Sequence, residues 1–125
     1  MNIYITTGFH GRVSNGTGHY VIAGGDPIKG FEGNIEHVSM PRFNALACLT
    51  AVNNVKEGAD LNLTIQDPYS YSVISSGHCD GANKDIWDKF FKRISCFSHF
   101  NIYRNKDHEL VGWRPERRSY EKDNA

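Results

Sequence analysis

The sequence lacks a hydrophobic run long enough to cross a bilayer, which excludes a helical membrane protein. Residues 1–10 also lack the basic-then-apolar layout of a signal peptide. Cysteine is scarce: the chain has three, Cys48, Cys79 and Cys96, with no disulfide or zinc-site spacing. We therefore expect a cytoplasmic protein with reduced thiols.

The chain also lacks an excess of either charge, with 14 basic and 14 acidic residues. The distribution is uneven, because residues 84–122 contain ten basic and six acidic residues, whereas residues 1–83 contain four and seven. A modestly basic C-terminal third favours contacts with phosphates, and ordinary solvated surface charge is the alternative. The candidate nucleic-acid-binding residues are Arg104, Lys106, Trp113, Arg114, Arg117 and Arg118.

The first 38 residues predict three antiparallel strands with short glycine-rich turns. Ile3 and Ile5 alternate with polar neighbours, which is typical of a strand, and Gly8 is expected to end it. Asn15-Gly16 is a strong hairpin signal. Strands are then predicted over residues 19–23 and 31–38, giving a meander.

A buried helix and a parallel strand are predicted next. Ser39, Met40 and Pro41 have the composition of a helix start, and residues 43–55 are apolar on almost every side. Gly58 is expected to follow the helix, before a strand over residues 61–65. Since a helix joins the two strands, this strand is predicted to run parallel to the first.

Asp67 stands at the point where this strand ends and a helix begins. Asp67-Pro68 supplies a capping oxygen followed by a proline in the first helical turn. Open α/β sheets place their chemistry at the carboxyl ends of strands, so Asp67 is a candidate site residue. A simple helix cap is the alternative interpretation.

The remaining pattern completes one α/β domain. Residues 85–94 form an amphipathic helix pattern and residues 97–104 alternate as a fifth strand. We predict a mixed five-stranded sheet, three antiparallel strands followed by parallel ones, flanked by helices. The predicted domain covers residues 1–110, and residues 111–125 form a charged C-terminal tail.

This order of elements resembles the ribonuclease H-like superfamily, and local motifs agree with it. The family has a glycine-rich turn after its first strand, an aspartate at the end of its fourth, a tryptophan-bearing helix before its fifth and a histidine loop after that. The matching segments here are Thr6-Thr7-Gly8, Asn15-Gly16-Thr17-Gly18, Asp67-Pro68-Tyr69, Ile86-Trp87 and Lys106-Asp107-His108.

The departures from the family bear directly on activity. The resemblance implies a carboxylate cluster that binds two Mg²⁺ ions for phosphodiester cleavage. By position, Thr7 and Asn44 replace two of the acids and Asp67 alone remains. For the fourth acid the sequence offers only Glu109 or Glu116. We expect a catalytically degenerate domain.

Three functions follow from the resemblance. The first is a pseudoenzyme that binds nucleic acid or a protein of nucleic-acid metabolism, with no cofactor. The second is a divergent nuclease acting on RNA or an RNA–DNA hybrid, which uses Asp67 as a Mg²⁺ or Mn²⁺ ligand, His108 near the leaving group, and Asp107 or Glu109 as a relocated acid. The third is a protein-interaction or inhibitor module, which the zero net charge allows.

Overall fold

Five strands and three helices form one α/β arrangement in a computed structural model, which describes residues 1–25 and 29–105. The elements in chain order are β1 (Asn2–Arg12), β2 (Asn15–Gly24), β3 (Lys29–Val38), α1 (Met40–Asn53), β4 (Asp60–Ile65), α2 (Pro68–Ser76), α3 (Lys84–Ile94) and β5 (His99–Arg104). None of these helices is long and apolar enough to cross a membrane.

The strands lie in one sheet in the order β3-β2-β1-β4-β5. β1 pairs antiparallel with β2, and β2 antiparallel with β3. β1 pairs parallel with β4, and β4 parallel with β5. The predicted mixed sheet and the parallel crossover through α1 are therefore confirmed.

The first hairpin is longer than the sequence predicted. β1 continues through Gly8 to Arg12, which pairs with Asn15, so the turn lies at residues 13 and 14 and not at Asn15-Gly16. Gly16 is instead a strand residue where two backbones pass closely, since a Cβ there would lie 2.2 Å from the carbonyl oxygen of His10. The glycines permit close strand pairing, and the prediction mistook them for a turn.

A single buried cluster joins one face of the sheet to all three helices. The strands contribute branched residues, and α1 contributes mainly alanines that let it approach the sheet closely. The innermost members are Ile5, Ile22, Ala45, Ala47, Ala51, Val52, Leu61, Leu63, Ile65, Trp87 and Phe90. As predicted, α1 is covered on more than one side.

Side chains of α1 and α3 fix the two helices against each other. Arg42 in the first turn of α1 donates two hydrogen bonds to the carboxylate of Asp85, at 3.3 and 3.1 Å. This contact lowers the pKa of Asp85. At the far end, Arg93 of α3 donates to the carbonyl oxygens of Val52 (3.2 Å) and Val55 (2.5 Å). The orientation of α1 is thus set from both ends.

Candidate functional site

Thr7 and Asp67 meet at the carboxyl edge of the two central strands. Ile3 of β1 and Leu63 of β4 are partners in the parallel pair. Thr7 lies four residues after Ile3, and Asp67 lies four residues after Leu63. Asn44 joins them from α1, whose N-terminus is fixed by Ser39, the Oγ of which accepts a hydrogen bond from the Arg42 N–H at 3.3 Å. The three residues singled out from the sequence therefore come together.

These three residues line one open groove of about 220 Å³, which we call the edge groove. Its polar members are the hydroxyl of Thr7, the amides of Asn44 and Gln66, and the carboxylate of Asp67. The complete lining is Thr7, Gly8, Phe9, Met40, Phe43, Asn44, Gln66, Asp67 and Pro68. The groove thus combines a polar cluster with an apolar wall.

Asn44 is a largely buried residue, although its amide atoms are not fully enclosed. The residue is 7% exposed, and its side chain makes no hydrogen bond with any described residue. It borders both the edge groove and a smaller cavity of about 10 Å³ beneath it, which is room for about one water molecule. Among the described residues, the enclosed side-chain atoms without a hydrogen-bond partner are Thr6 Oγ1 and Trp87 Nε1. The Asn44 amide is not enclosed in this way, so it is open to water or to a ligand in the groove region.

One oxygen of the Asp67 carboxylate caps helix α2, and the other is available to the groove. Oδ2 accepts hydrogen bonds from the backbone N–H of Ser70 at 2.9 Å and from its Oγ at 2.5 Å. Ser70 is 1% exposed, so this pair is a firmly packed N-cap of α2. Oδ1 receives no hydrogen bond from the described residues. The capping interpretation of Asp67 is confirmed, and one oxygen remains available for a ligand.

Replacing Asp67 with alanine is expected to lower the free energy of unfolding by about 1–2 kcal/mol, because the α2 cap and the partner of the buried Ser70 hydroxyl are lost together. Asp67→Asn is expected to cost much less, since asparagine is an equally good N-cap. Urea unfolding measures both values. Asp60→Ala, which removes an exposed carboxylate at the start of β4, is the control. Equal losses for the alanine and asparagine variants would contradict the capping role.

Cys48 lies beneath the groove, and its thiol is unreactive. Burial, and secondarily the negative charge of Asp67, raise the pKa of its thiol far above the ordinary value. The thiol therefore stays protonated at neutral pH and provides neither a nucleophile nor a soft metal ligand. As predicted from the apolar helix, Cys48 is a core residue.

The donor set of the edge groove does not fit a pair of divalent cations. It offers one carboxylate, already half used as a cap, together with neutral oxygens of Thr7, Asn44 and Gln66. Two Mg²⁺ ions bring four positive charges and give up their water reluctantly. Within residues 1–25 and 29–105, no group of three or more His, Cys, Asp and Glu side chains is arranged to hold a metal.

Comparison of the sequence with known proteins gives no family assignment. The sequence matches no protein-family model and no curated protein. The function of the edge groove is therefore argued from its own residues and from the order of elements around it.

Arg104 is the one predicted nucleic-acid-binding residue among the described ones. It ends β5, pairs in register with Ile65, and is exposed at the same edge of the sheet as Asp67. Its guanidinium makes no ion pair or hydrogen bond with the described part of the chain. The other predicted residues lie outside the described residues, as does the predicted tail 111–125: His108, Lys106, Trp113, Arg114, Arg117 and Arg118.

Sequence reasoning missed the groove residues Phe9 and Gln66. Phe9 was overlooked because Gly8 was expected to end β1; once the strand continues, Phe9 lies two residues after Thr7 and on the same face. Gln66 follows the apolar Ile65 in the alternating pattern of β4. That pattern predicts that the Gln66 side chain faces away from the core. Its position directly before Asp67, at a strand end, was the available signal.

Proposed function

We propose that the chain is a ribonuclease H-like domain that binds nucleic acid and does not cleave it by two-metal catalysis. The order of elements supports this proposal: an antiparallel β1-β2-β3 meander, a crossover helix, and parallel β4 and β5 beside β1. The crossover places α1 over the sheet, so that its first two turns reach the carboxyl edge of β1 and β4. In ribonuclease H-like domains that edge is the site.

The observation that carries the proposal is the convergence of Thr7, Asn44 and Asp67 on the edge groove. The resemblance assigns acids to all three positions, and here two are neutral. An edge with one carboxylate in place of three lacks the charge needed to offset two divalent cations. A groove of this kind retains shape and hydrogen-bonding capacity, and it is suited to binding.

The surrounding charge supports nucleic acid as the partner. Arg42 pairs with Asp85, Lys84 pairs with Asp88, and Arg93 pairs with Glu57 and donates to the Val52 carbonyl of α1. Arg104, at the carboxyl end of β5, has no such partner among the described residues and is available for a phosphate. Its guanidinium matches phosphate geometry. The predicted basic residues that follow it would extend the same contact.

Fluorescence anisotropy with a labelled RNA–DNA hybrid, single-stranded RNA and duplex DNA tests this proposal. Binding is expected to weaken steeply with salt, because Lys and Arg contacts release counterions from the phosphates. Arg104→Ala is expected to weaken binding about threefold to tenfold and to reduce the salt slope by about one. Lys56→Ala, an exposed cation between α1 and β4 at the opposite edge, is the matched control.

Two outcomes would overturn the proposal. Cleavage of the hybrid with Mg²⁺ or Mn²⁺, abolished by Asp67→Asn, would establish the divergent nuclease, in which Asp67, His108 and a relocated acid act together. Absence of binding to any nucleic acid at low salt would instead favour the protein-interaction or inhibitor module. A hybrid that is bound and left intact is the expected result.

A further inference from the structure

We propose that the edge groove binds a single unpaired nucleobase, with a preference for guanine. This inference rests on the proposed function and names the part of the nucleic acid that enters this site. The starting observation is Asn44, a residue 7% exposed that borders the groove and whose amide has no hydrogen-bond partner among the described residues. An amide that is open to the groove can exchange bound water for a ligand that supplies its hydrogen bonds.

The charge of the groove selects a base over a phosphate. Its lining contains one carboxylate, Asp67, and no basic side chain. A phosphate placed there would face the like charge of Asp67 without a compensating cation. The group that enters is therefore not an anion, and it presents N–H donors to the open Oδ1 oxygen of Asp67, as the edge of a base does.

The walls of the groove select a flat, partly apolar ligand. Phe9, Met40 and Pro68 are the accessible apolar residues of the lining, and the buried Phe43 packs behind Phe9 with ring centroids 5.9 Å apart. Proteins that bind an unstacked base hold it between aromatic and apolar side chains and read its edge by hydrogen bonds. At about 220 Å³ the groove is smaller than the usual site for a drug-sized molecule, as expected for one ring system.

The hydrogen-bonding groups favour guanine among the four bases. An ionised carboxylate only accepts, and each of its oxygens accepts two hydrogen bonds. Guanine alone carries two N–H donors on neighbouring positions, N1 and the exocyclic N2, beside the O6 acceptor. Oδ1 of Asp67 is assigned to the two donors and the Asn44 amide to O6. Thr7 and Gln66 are left for the remaining edge of the base.

Titration with guanosine, adenosine, cytidine and uridine tests the inference, since nucleosides carry no phosphate and isolate base recognition from backbone electrostatics. Isothermal titration calorimetry gives the affinity, and NMR follows the side-chain amide signals of Asn44 and Gln66. Guanosine is expected to bind about tenfold more tightly than the other three. Asp67→Asn keeps the α2 cap and is expected to reduce guanosine affinity about tenfold.

Asn44→Leu is expected to remove guanosine binding while the protein stays folded, because leucine leaves no unpaired amide in the buried position. Asp60→Asn changes an exposed carboxylate at the other end of β4 and is expected to leave guanosine binding unchanged. Loss of binding with Asp60→Asn, or full retention with both Asn44→Leu and Asp67→Asn, would overturn the site.

The proposed function and this inference fail in different ways. Salt-dependent binding of oligonucleotides without any response to guanosine would overturn the base site and leave phosphate-backbone binding intact. Guanosine binding without oligonucleotide binding would overturn the proposed function and keep the base site. Equal affinity for all four nucleosides would overturn the guanine preference.

Discussion

Gly18→Ala is expected to lower the free energy of unfolding by about 2–3 kcal/mol, because a Cβ at this position collides with a core ring. The added atom would lie 2.2 Å from Cδ1 of Phe43 and 2.3 Å from its Cε1 and Cγ. Phe43 is fully buried and packs against Phe9 and Tyr20, so a shift of the ring would disrupt both of these contacts. The collision also reaches the edge groove, since Phe43 forms part of its wall.

Gly8→Ala is the matched control for this substitution. Gly8 is a strand glycine in β1 that pairs with His19, the immediate neighbour of Gly18, and a Cβ there meets no atom within 4 Å. Its replacement is expected to change stability by about 0.5 kcal/mol or less. Urea unfolding of both variants measures the difference. Similar losses at the two positions would show that strand backbone effects, and not the Phe43 contact, govern Gly18.

Introducing acids at positions 7 and 44 is expected to convert the edge groove into a metal-dependent site. In the double variant Thr7→Asp/Asn44→Glu, three carboxylates face one groove. Without metal the chain is expected to lose several kcal/mol of stability, because the nearly buried position 44 would hold a charge beside Asp67. Divalent cations bind only the folded state of such a site, so Mn²⁺ is expected to restore about 3 kcal/mol at a hundredfold excess over Kd.

Thermal unfolding with Mn²⁺, Mg²⁺ or EDTA measures this gain. The original chain is expected to show little change in Tm between Mn²⁺ and EDTA, whereas the double variant shows a large increase. Adding Asp67→Asn to the double variant is expected to remove most of the increase while preserving the α2 cap. An equal Mn²⁺ response in the original chain would show that Thr7, Asn44 and Asp67 already form an adequate cation site.

Much of the fold could be predicted because single residues carry strong local signals. Ser39 and Asp67 begin α1 and α2 as their capping chemistry requires, and each is followed closely by a proline. The alternation of Leu61, Leu63 and Ile65 correctly gave the buried face of β4. The parallel pairing of β1 and β4 followed from the crossover helix, and this pairing is what brings Thr7 to Asp67.

The remaining features depend on contacts between distant residues, which local patterns do not contain. Gly16 and Gly18 resemble turn residues in sequence, yet their role is to let strand β2 pass His10 and Phe43 closely. Nothing local distinguishes Asn44 as an unpaired amide beside the groove, because its state depends on the chain segments that surround it. The apolar wall of the groove likewise required the full length of β1, which the glycine pattern concealed.

The contact between Arg93 and the end of α1 has a consequence for how the molecule opens. The last turn of α1 has no basic residue of its own, and its Val52 carbonyl accepts a hydrogen bond from Arg93, 41 positions further along the chain. Hydrogen exchange in that turn therefore reports on the docking of α3. Since Arg42 and Asp85 join the same helices at the other end, we expect α1 and α3 to open together and Asn44 to leave the groove when they separate.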